Sequence, residues 1–235
     1  IKLEIRQAAD QPTKVSRSTM RSIAVMNQKG GVGKTTTAVN LSAALAGMGT
    51  SVCLVDLDSQ AHATLHLGVE PRDDEPSIYH LLAQDATVGQ TRRKVCENLW
   101  LIPSSVDLAG AEVELIERRN GNLPASGERS GVVDPSAFFV LRDKLLADPP
   151  QTDYLIIDCP PSLGLLTLGA LAAVGEVLIP LQPHFFALHG FSKLLDTIRL
   201  ASSPGATPRP TAFPSGCAFS WGIGSRPSVH ARPST

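Results

Sequence analysis

The run from position 23 to position 36 combines glycines, lysines and threonines at a spacing that suits a nucleoside triphosphate. Glycines, which cannot keep a phosphate away from the backbone, stand at Gly30, Gly31 and Gly33. Their N–H groups can turn inward as an anion-binding nest. Lys34 follows as a point charge for the β and γ phosphates, and Thr35 offers a hydroxyl to Mg²⁺. The alternative without a binding function is a solvated lysine beside a glycine-rich turn. A preceding apolar run and a following helical pattern favour the nucleotide site.

The loop departs from the plain phosphate-loop pattern in one place. That pattern puts glycine at position 28, where this chain has Gln28, and a second lysine, Lys29, comes next. Because Lys29 precedes the glycines, we do not expect it to reach its own loop's phosphates as Lys34 does. The departure narrows the site to one branch of the phosphate-loop NTPases.

Aspartates close two other apolar runs. Asp56 ends the run Val52–Asp56, with Asp58 two residues further on, and Asp158 ends the run Tyr154–Asp158. Alternate residues of a strand share a face, so Asp56 and Asp58 are both expected to point toward the nucleotide. For either one alone, a helix cap or turn residue is the alternative. Asp158 is at the place for an acid that acts through metal-bound water.

The elements that must position these groups follow from the alternation of apolar runs with helical patterns. Strands are predicted at Ile23–Asn27, Val52–Asp56, Leu99–Pro103, Tyr154–Asp158 and Val177–Leu181. Helices are predicted at Thr35–Gly47, Ser77–Leu82, Ser136–Leu146, Leu165–Val174 and Leu188–Leu200. This order predicts an α/β fold, a doubly wound parallel sheet with helices on both faces. The motifs stand at strand ends, where such a sheet binds its ligand.

Composition and motifs divide the chain into a flexible leader at 1–20, a domain at 21–200 that contains the phosphate loop, and an irregular or disordered tail at 201–235. The tail is rich in Pro, Ser, Gly and Thr and has no acidic residue, which favours a shifted reading frame or aberrant end over a lineage-specific tail. We therefore expect the C-terminal strands beyond Val177–Leu181 to be missing, leaving an unpaired edge. Asn120–Asp134 is predicted to be a surface loop.

Bulk properties exclude several classes of protein. A net charge of −1 argues against a uniformly basic nucleic-acid coat. The cysteines lack metal spacing, which favours free thiols in a reducing cytosol. His62 and His66 are four residues apart without a third ligand, and the basic run at 92–94 is expected to be a solvated face. No apolar run is long enough to span a bilayer.

With these motifs in place, the chain resembles a known family. The run Lys29–Thr36 is similar to the deviant Walker A box of ParA/Soj-type chromosome and plasmid partition ATPases, whose relatives include MinD and the nitrogenase iron protein. Further matches follow in order at Val52–Gln60, Leu101–Glu112, Tyr154–Gly164 and Val177–Gly190. The resemblance covers about residues 22–200.

The resemblance implies ATP hydrolysis with Mg²⁺. It assigns nucleotide binding to Lys29, Gly30, Gly31, Val32, Gly33, Lys34, Thr35 and Thr36, and the metal to Thr35, Asp56 and Asp158. It gives catalytic roles to Lys29, Lys34 and Asp58. Lys29 would reach the partner subunit's phosphates across an ATP-sandwich homodimer, and Asp58 would help to position the attacking water.

The same resemblance implies a ParB-type activator protein, DNA association without sequence preference and a cytoplasmic, nucleoid-associated location. Much of the family's DNA-binding surface belongs to its C-terminal third, whose pattern is absent after residue 200, which speaks against DNA binding by this chain. No membrane partner is expected.

Other functions remain as alternatives. A MinD-like membrane-cycling ATPase would need a basic amphipathic C-terminal helix, and none is visible in the tail. Iron–sulfur chemistry would need cysteines at cluster spacing, which Cys96 and Cys159 do not have. A truncated chain that binds nucleotide weakly, or fails to fold, is the non-enzymatic alternative.

Overall fold

A computed structural model describes residues 20–72, 74–120 and 134–181, together with the backbone of 209–214 and 219–220. The strands are β1 (Arg21–Val25), β2 (Val52–Asp56), β3 (Arg93–Cys96), β4 (Leu99–Ile102), β5 (Tyr154–Asp158), β6 (Glu176–Leu181), β7 (Arg209–Pro214) and β8 (Phe219–Ser220). The helices are α1 (Lys34–Gly47), α2 (His62–His66), α3 (Ile78–Ala83), α4 (Val88–Thr91), α5 (Leu108–Asn120), α6 (Val140–Ala147) and α7 (Leu165–Ala173). A 3-10 helix at Pro135–Phe139 precedes α6.

The strands form one sheet in the order β3-β4-β2-β5-β1-β6-β7-β8. All neighbours from β4 to β7 are parallel, and β3 and β8 pair antiparallel at the two edges. From β1 the chain crosses to β2 on one side, and from β5 it crosses to β6 on the other. The loop after β1 therefore lies at a reversal of the winding direction, where open α/β sheets bind ligands.

Alternation along the strands divides the core into two layers. Val52 and Leu54 of β2 pack in the layer that contains Ala38 of α1 and Ala63 of α2. Their neighbours on the strand, Cys53 and Val55, face the opposite layer, which is built with α3, α5, α6 and α7. The sheet is thus covered on both faces, which confirms the predicted doubly wound α/β class.

All five predicted strands are present. Val52–Asp56 and Tyr154–Asp158 have the predicted boundaries, and the boundaries of the other three are shifted by one or two residues. The segment predicted as one helix over Ser136–Leu146 is a 3-10 helix followed by α6. Three helices and three strands were not predicted: α2, α4, α5, β3, β7 and β8. The strand β3 was not predicted because it includes part of the basic run, and charged residues are not typical of a buried strand. It lies at the edge of the sheet, where charged residues are common. The predicted helix Leu188–Leu200 and most of the predicted loop Asn120–Asp134 lie outside the described residues.

The prediction that strands beyond Val177–Leu181 are missing needs correction. β7 pairs with β6 in parallel, with Glu176 opposite Arg209 and Leu181 opposite Pro214, and β8 follows antiparallel. Prolines made this segment look irregular. Pro210 and Pro214 are four positions apart, so both lack an N–H on the same edge of the strand, and the other edge keeps its donors. The rest of the tail lies outside the described residues.

Among the described residues, none of the helices combines the length and apolar composition needed to cross a lipid bilayer.

Candidate nucleotide-binding site

The loop between β1 and α1 has the backbone of an anion-binding turn. Gly31 (φ 71°) and Gly33 (φ 88°) are in the left-handed region, which a residue with a side chain adopts only at a cost. Val32 between them is buried and anchors the turn. Gly33 is the N-cap residue of α1. The helix has neither a side-chain cap nor an acidic residue in its first turn. The positive end of this helix therefore opens onto the loop, an arrangement suited to phosphate.

Asn27 ties the loop to the sheet. Its Nδ2 donates to the carbonyl oxygen of Pro180 on β6 at 2.8 Å, and its Oδ1 accepts from the N–H of Lys29 at 3.0 Å. One side chain thus holds the start of the loop against the neighbouring strand. The sequence places Asn27 at the end of a strand, but its partner is more than 150 residues away along the chain.

Lys34 points back along its own loop. Its side chain is buried, and its Nζ donates to the carbonyl oxygen of Lys29 at 3.4 Å. Burial lowers the pKa of Lys34, and the charges of Asp158 and Asp58 act in the opposite direction. The ammonium group is therefore held close to the carboxylates at the strand ends. An anion in the loop would compensate for its loss of hydration.

Asp158 is the acid of this site that is left unsatisfied. It is 1% exposed, and neither carboxylate oxygen has a hydrogen-bond partner among the described residues. Burial raises its pKa to about 7, and the charges of Asp56 and Asp58 add to the rise. The Thr35 hydroxyl lowers this pKa but lies outside normal hydrogen-bond geometry. A buried carboxylate without a partner needs a cation or a donor to complete its environment.

Asp56 has a different environment although it lies opposite Asp158 in the parallel register. Its Oδ2 accepts from the N–H of Thr64 at 2.8 Å and from the Thr64 hydroxyl at 2.7 Å, and its Oδ1 accepts from the N–H of Asp58 at 3.3 Å. Thr64 Oγ1 in turn accepts from the N–H of Ser104 at 3.0 Å. Burial raises the pKa of Asp56, and the bonds from Thr64 oppose the rise. Asp56 thus already holds α2 in place.

The remaining predicted residues flank this centre. Asp58 lies beyond the end of β2, and its Oδ1 accepts from the N–H of Gln60 at 3.1 Å, the turn geometry that the sequence left open as an alternative. It remains close enough to influence the pKa values of Lys34 and Asp158. Lys29 in the loop and Thr36 on the first turn of α1 are both exposed.

A magnesium ion would fit between Thr35 and Asp158. No group of three His, Cys, Asp or Glu side chains able to hold a metal occurs in the described part of the chain. A site made of one hydroxyl and one carboxylate suits Mg²⁺, which takes few protein ligands and completes its shell with water and phosphate oxygens. The unpartnered oxygens of Asp158 are the observation that supports this fit.

Similarity to known proteins agrees with this geometry. A family model described as an AAA domain matches residues 20–205. Sporulation initiation inhibitor protein Soj of Bacillus subtilis is 46% identical over 179 residues, which are 76% of this chain and 64% of that protein. Chromosome partitioning protein ParA of Myxococcus xanthus is 44% identical over 181 residues, 77% of this chain and 58% of that protein. The chain belongs to the ParA/Soj-type AAA-domain family. It spans about three fifths of the length of these curated relatives.

Solved structures place the ParA/Soj-type chain among nucleotide-binding proteins. Cobyrinic acid a,c-diamide synthase from Mycobacterium smegmatis, with bound ATP analogue and magnesium, matches with a TM-score of 0.69 and 36% identity, covering 83% of this chain and 75% of that one. A putative plasmid partition protein from Borrelia burgdorferi bound to AMPPNP matches with a TM-score of 0.64 and 26% identity, covering 77% and 69%. The fold and motifs of this chain are those of a P-loop ATPase.

Sequence reasoning missed three supports of the ParA/Soj-type site. Thr64 and Ser104 position Asp56 through hydrogen bonds, and Glu112 on α5 contacts the segment after Asp158. Ser104 and Glu112 belong to the run Leu101–Glu112, which resembles the family. The sequence did not assign a role to either residue. Thr64 had no sequence signal, because a threonine in a short helix is ordinary.

Proposed function

We propose that this chain is an ATP-binding and ATP-hydrolysing switch of the partition type. The single observation that carries the proposal is the buried carboxylate of Asp158, which has no hydrogen-bond partner in the described part of the chain and lies near the charge of Lys34. A triphosphate site needs N–H donors, a lysine and an acid for the metal. The glycine loop, Lys34 and Asp158 supply these three kinds of group close to one another. The partition relatives support the biological setting of the proposal.

Each residue has a defined task in the proposed reaction. The N–H groups of residues 30–36 and the ammonium of Lys34 hold the β and γ phosphates and balance the charge that builds on them. The Thr35 hydroxyl and the Asp158 carboxylate would hold Mg²⁺, and Asp56, which lies opposite Asp158 in the register, would support the ion. When bound, the ion would neutralise charge on the phosphates. Asp58 orients the attacking water from the edge of the site.

In the proposal, Lys29 is the residue that links two copies of the chain into an ATP-sandwich homodimer. Lys29 is exposed, while its carbonyl oxygen accepts from Lys34. From this position it serves a second subunit's phosphates rather than its own. ATP would then join two chains face to face, and hydrolysis would release them.

The partition relatives suggest a ParB-type activator and DNA association without sequence preference as the remaining steps of the proposed cycle, both in the cytoplasm. The DNA step is the one against which the sequence after residue 200 speaks, so it needs its own test. ATP turnover measured with and without duplex DNA, at low and at high salt, tests the DNA step. Contacts to phosphates weaken as salt rises, so stimulation that persists unchanged at high salt would contradict it.

The decisive experiment is calorimetry of ATP binding with and without Mg²⁺. We expect magnesium-dependent binding by the parent chain and loss of nucleotide retention in Lys34→Ala. Lys94→Ala is the matched control, because Lys94 lies on β3 at the far edge of the sheet, with its Nζ 6.0 Å from the Trp100 ring centroid. Unchanged ATP binding by Lys34→Ala would overturn the assignment of the phosphate loop.

A second experiment separates the dimer from nucleotide binding. Lys29→Ala should retain ATP binding and lose ATP-dependent dimerisation, measured by sedimentation with a non-hydrolysable ATP analogue. Dimerisation that persists in this variant would contradict the role across the interface.

A further inference from the structure

The N-terminus of α7 is capped by a residue from another helix. Gly164 occupies the cap position and offers no side-chain hydrogen bond. Instead, Oε1 of Glu112 on α5 accepts from the N–H of Leu166 at 3.1 Å. The first N–H groups of a helix have no partner within the helix, and a carboxylate there is also favoured by the helix dipole. Glu112 therefore joins α5 to the start of α7.

The glycine at position 164 is explained by this contact and not by backbone conformation. Gly164 has φ −83° and ψ −170°, values that any residue adopts. A Cβ built there would lie 2.5 Å from Glu112 Oε1 and 3.0 Å from Oε2, so a side chain at this position would displace the Glu112 carboxylate. The carboxylate of Glu112 thus lies directly against the backbone of Gly164.

The contact holds one end of the segment that leaves the candidate site. This segment, which we call the exit loop, runs from Cys159 to Gly164 between β5 and α7. Its first end is held by the sheet, since the N–H of Cys159 donates to the carbonyl oxygen of Val25 at 3.1 Å. Its middle is exposed at Pro161 and Ser162. The position of its second end depends on where α7 begins, and Glu112 holds that point.

We propose that Glu112 is a positioning residue that fixes the exit loop beside the phosphate site and so governs the rate of ATP hydrolysis rather than the affinity for ATP. This inference rests on the proposed function. The loop follows directly on Asp158, so its course sets what lies next to the terminal phosphate. The phosphate loop and Lys34 make no contact with Glu112 in the described hydrogen bonds, so nucleotide binding does not depend on it.

The test compares Glu112→Ala with Glu112→Gln in the 235-residue chain. In the alanine variant, amide hydrogen exchange at Leu166 should become about tenfold faster, and kcat should fall about tenfold with KM and the ATP dissociation constant unchanged. Glutamine keeps an oxygen that accepts the same bond, so Glu112→Gln should retain most of the parent kcat. Glu117→Ala, an exposed position on the same helix, is the control.

A second pair of variants tests the steric contact. Gly164→Ala should lower kcat in the parent, because its methyl group displaces the Glu112 carboxylate, and it should have no further effect in the Glu112→Ala background. Gly110→Ala is the control, since a Cβ there meets only Glu114 at 4.0 Å. If Gly164→Ala lowers kcat by the same factor in the parent and in the Glu112→Ala background, the proposal is overturned.

The outcomes separate this proposal from the function on which it rests. A parent chain that binds and hydrolyses ATP, together with a Glu112→Ala variant that hydrolyses at the parent rate despite faster exchange at Leu166, would reduce Glu112 to a stabilising cap and refute the proposal. A parent chain without turnover would refute the proposed function, and unchanged exchange at Leu166 in Glu112→Ala would refute the positioning contact independently.

Discussion

Replacing Asp158 with asparagine tests the electrostatics of the site with almost no change of shape. The parent side chain is buried without a hydrogen-bond partner in the described residues, so its ionised form is disfavoured. Asparagine has no proton to lose and stays neutral at every pH in the range of the experiment. Because Asp56, Asp58 and Lys34 are present in both proteins, the difference between them reports mainly on Asp158.

The magnitude follows from the pKa. Burial raises the pKa of Asp158 to about 7 from an ordinary value of 3.8. A difference of about 3 units corresponds to roughly 4 kcal/mol between the two protonation states. In this window the folded chain binds more protons than the unfolded chain, so the parent loses stability as pH rises from about 4 to about 7. Relative to the parent, Asp158→Asn should gain about 2.5 kcal/mol in the free energy of unfolding between about pH 5 and about pH 8.

Urea denaturation of both proteins at several pH values, without nucleotide or Mg²⁺, measures this difference. Asp153→Asn is the control without a pH-dependent difference in this range. Hydrogen bonds from the Ser51 side chain and backbone lower the pKa of Asp153 below its ordinary value of 3.8, so its stabilising contribution is lost only as pH falls below about 4, and the difference between the parent and that variant should stay constant from about pH 5 to about pH 8. A difference between the parent and Asp158→Asn that stays constant from about pH 5 to about pH 8 would refute the burial argument.

Three further changes test separate parts of the site. Asp58→Ala should keep ATP binding and slow hydrolysis by about 10²-fold or more, and a steady-state rate equal to that of the parent would show that Asp58 does not position water. Thr64→Val removes a hydroxyl that donates to Asp56 at 2.7 Å, so the free energy of unfolding should fall by about 1–3 kcal/mol in urea, whereas an unchanged midpoint would contradict the hydrogen-bond assignment. Gly33→Ala forces a side chain into a left-handed conformation and should lower the free energy of unfolding by about 1–2 kcal/mol. The control Gly47→Ala, in open space on α1, should be neutral or stabilising, and equal losses in both would contradict the strain argument.

The phosphate loop and the sheet could be predicted because their information is local. The glycines, lysines and threonines of the loop are contiguous, and buried parallel strands show as apolar runs in any sequence. The parallel class of the sheet also follows from alternation of strands and helices. The short helices α2 and α4 and the charged strand β3 were missed because their residues carry weak or contrary local preferences, and their positions depend on packing against neighbours.

The supports of the site could not be predicted for a related reason. These supports act through hydrogen bonds to residues elsewhere in the chain, and the type of a residue does not indicate its partner. They are Thr64, Ser104 and Glu112. The strand β7 was hidden by its prolines, whose effect depends on which edge of the strand they face.

By itself, the sequence determined the phosphate-binding chemistry of this chain, because an anion nest needs only glycines, a lysine and a helix start in one continuous run. Only the tertiary structure decided the different states of Asp56 and Asp158. Both end an apolar strand and they lie opposite each other in register, so local signals do not distinguish them. The packing of α2 against the end of β2 brings Thr64 to Asp56 and satisfies its carboxylate, whereas no described residue does the same for Asp158. The difference between a carboxylate with hydrogen-bond partners and one without them among the described residues is therefore a consequence of which helix folds back over each strand end.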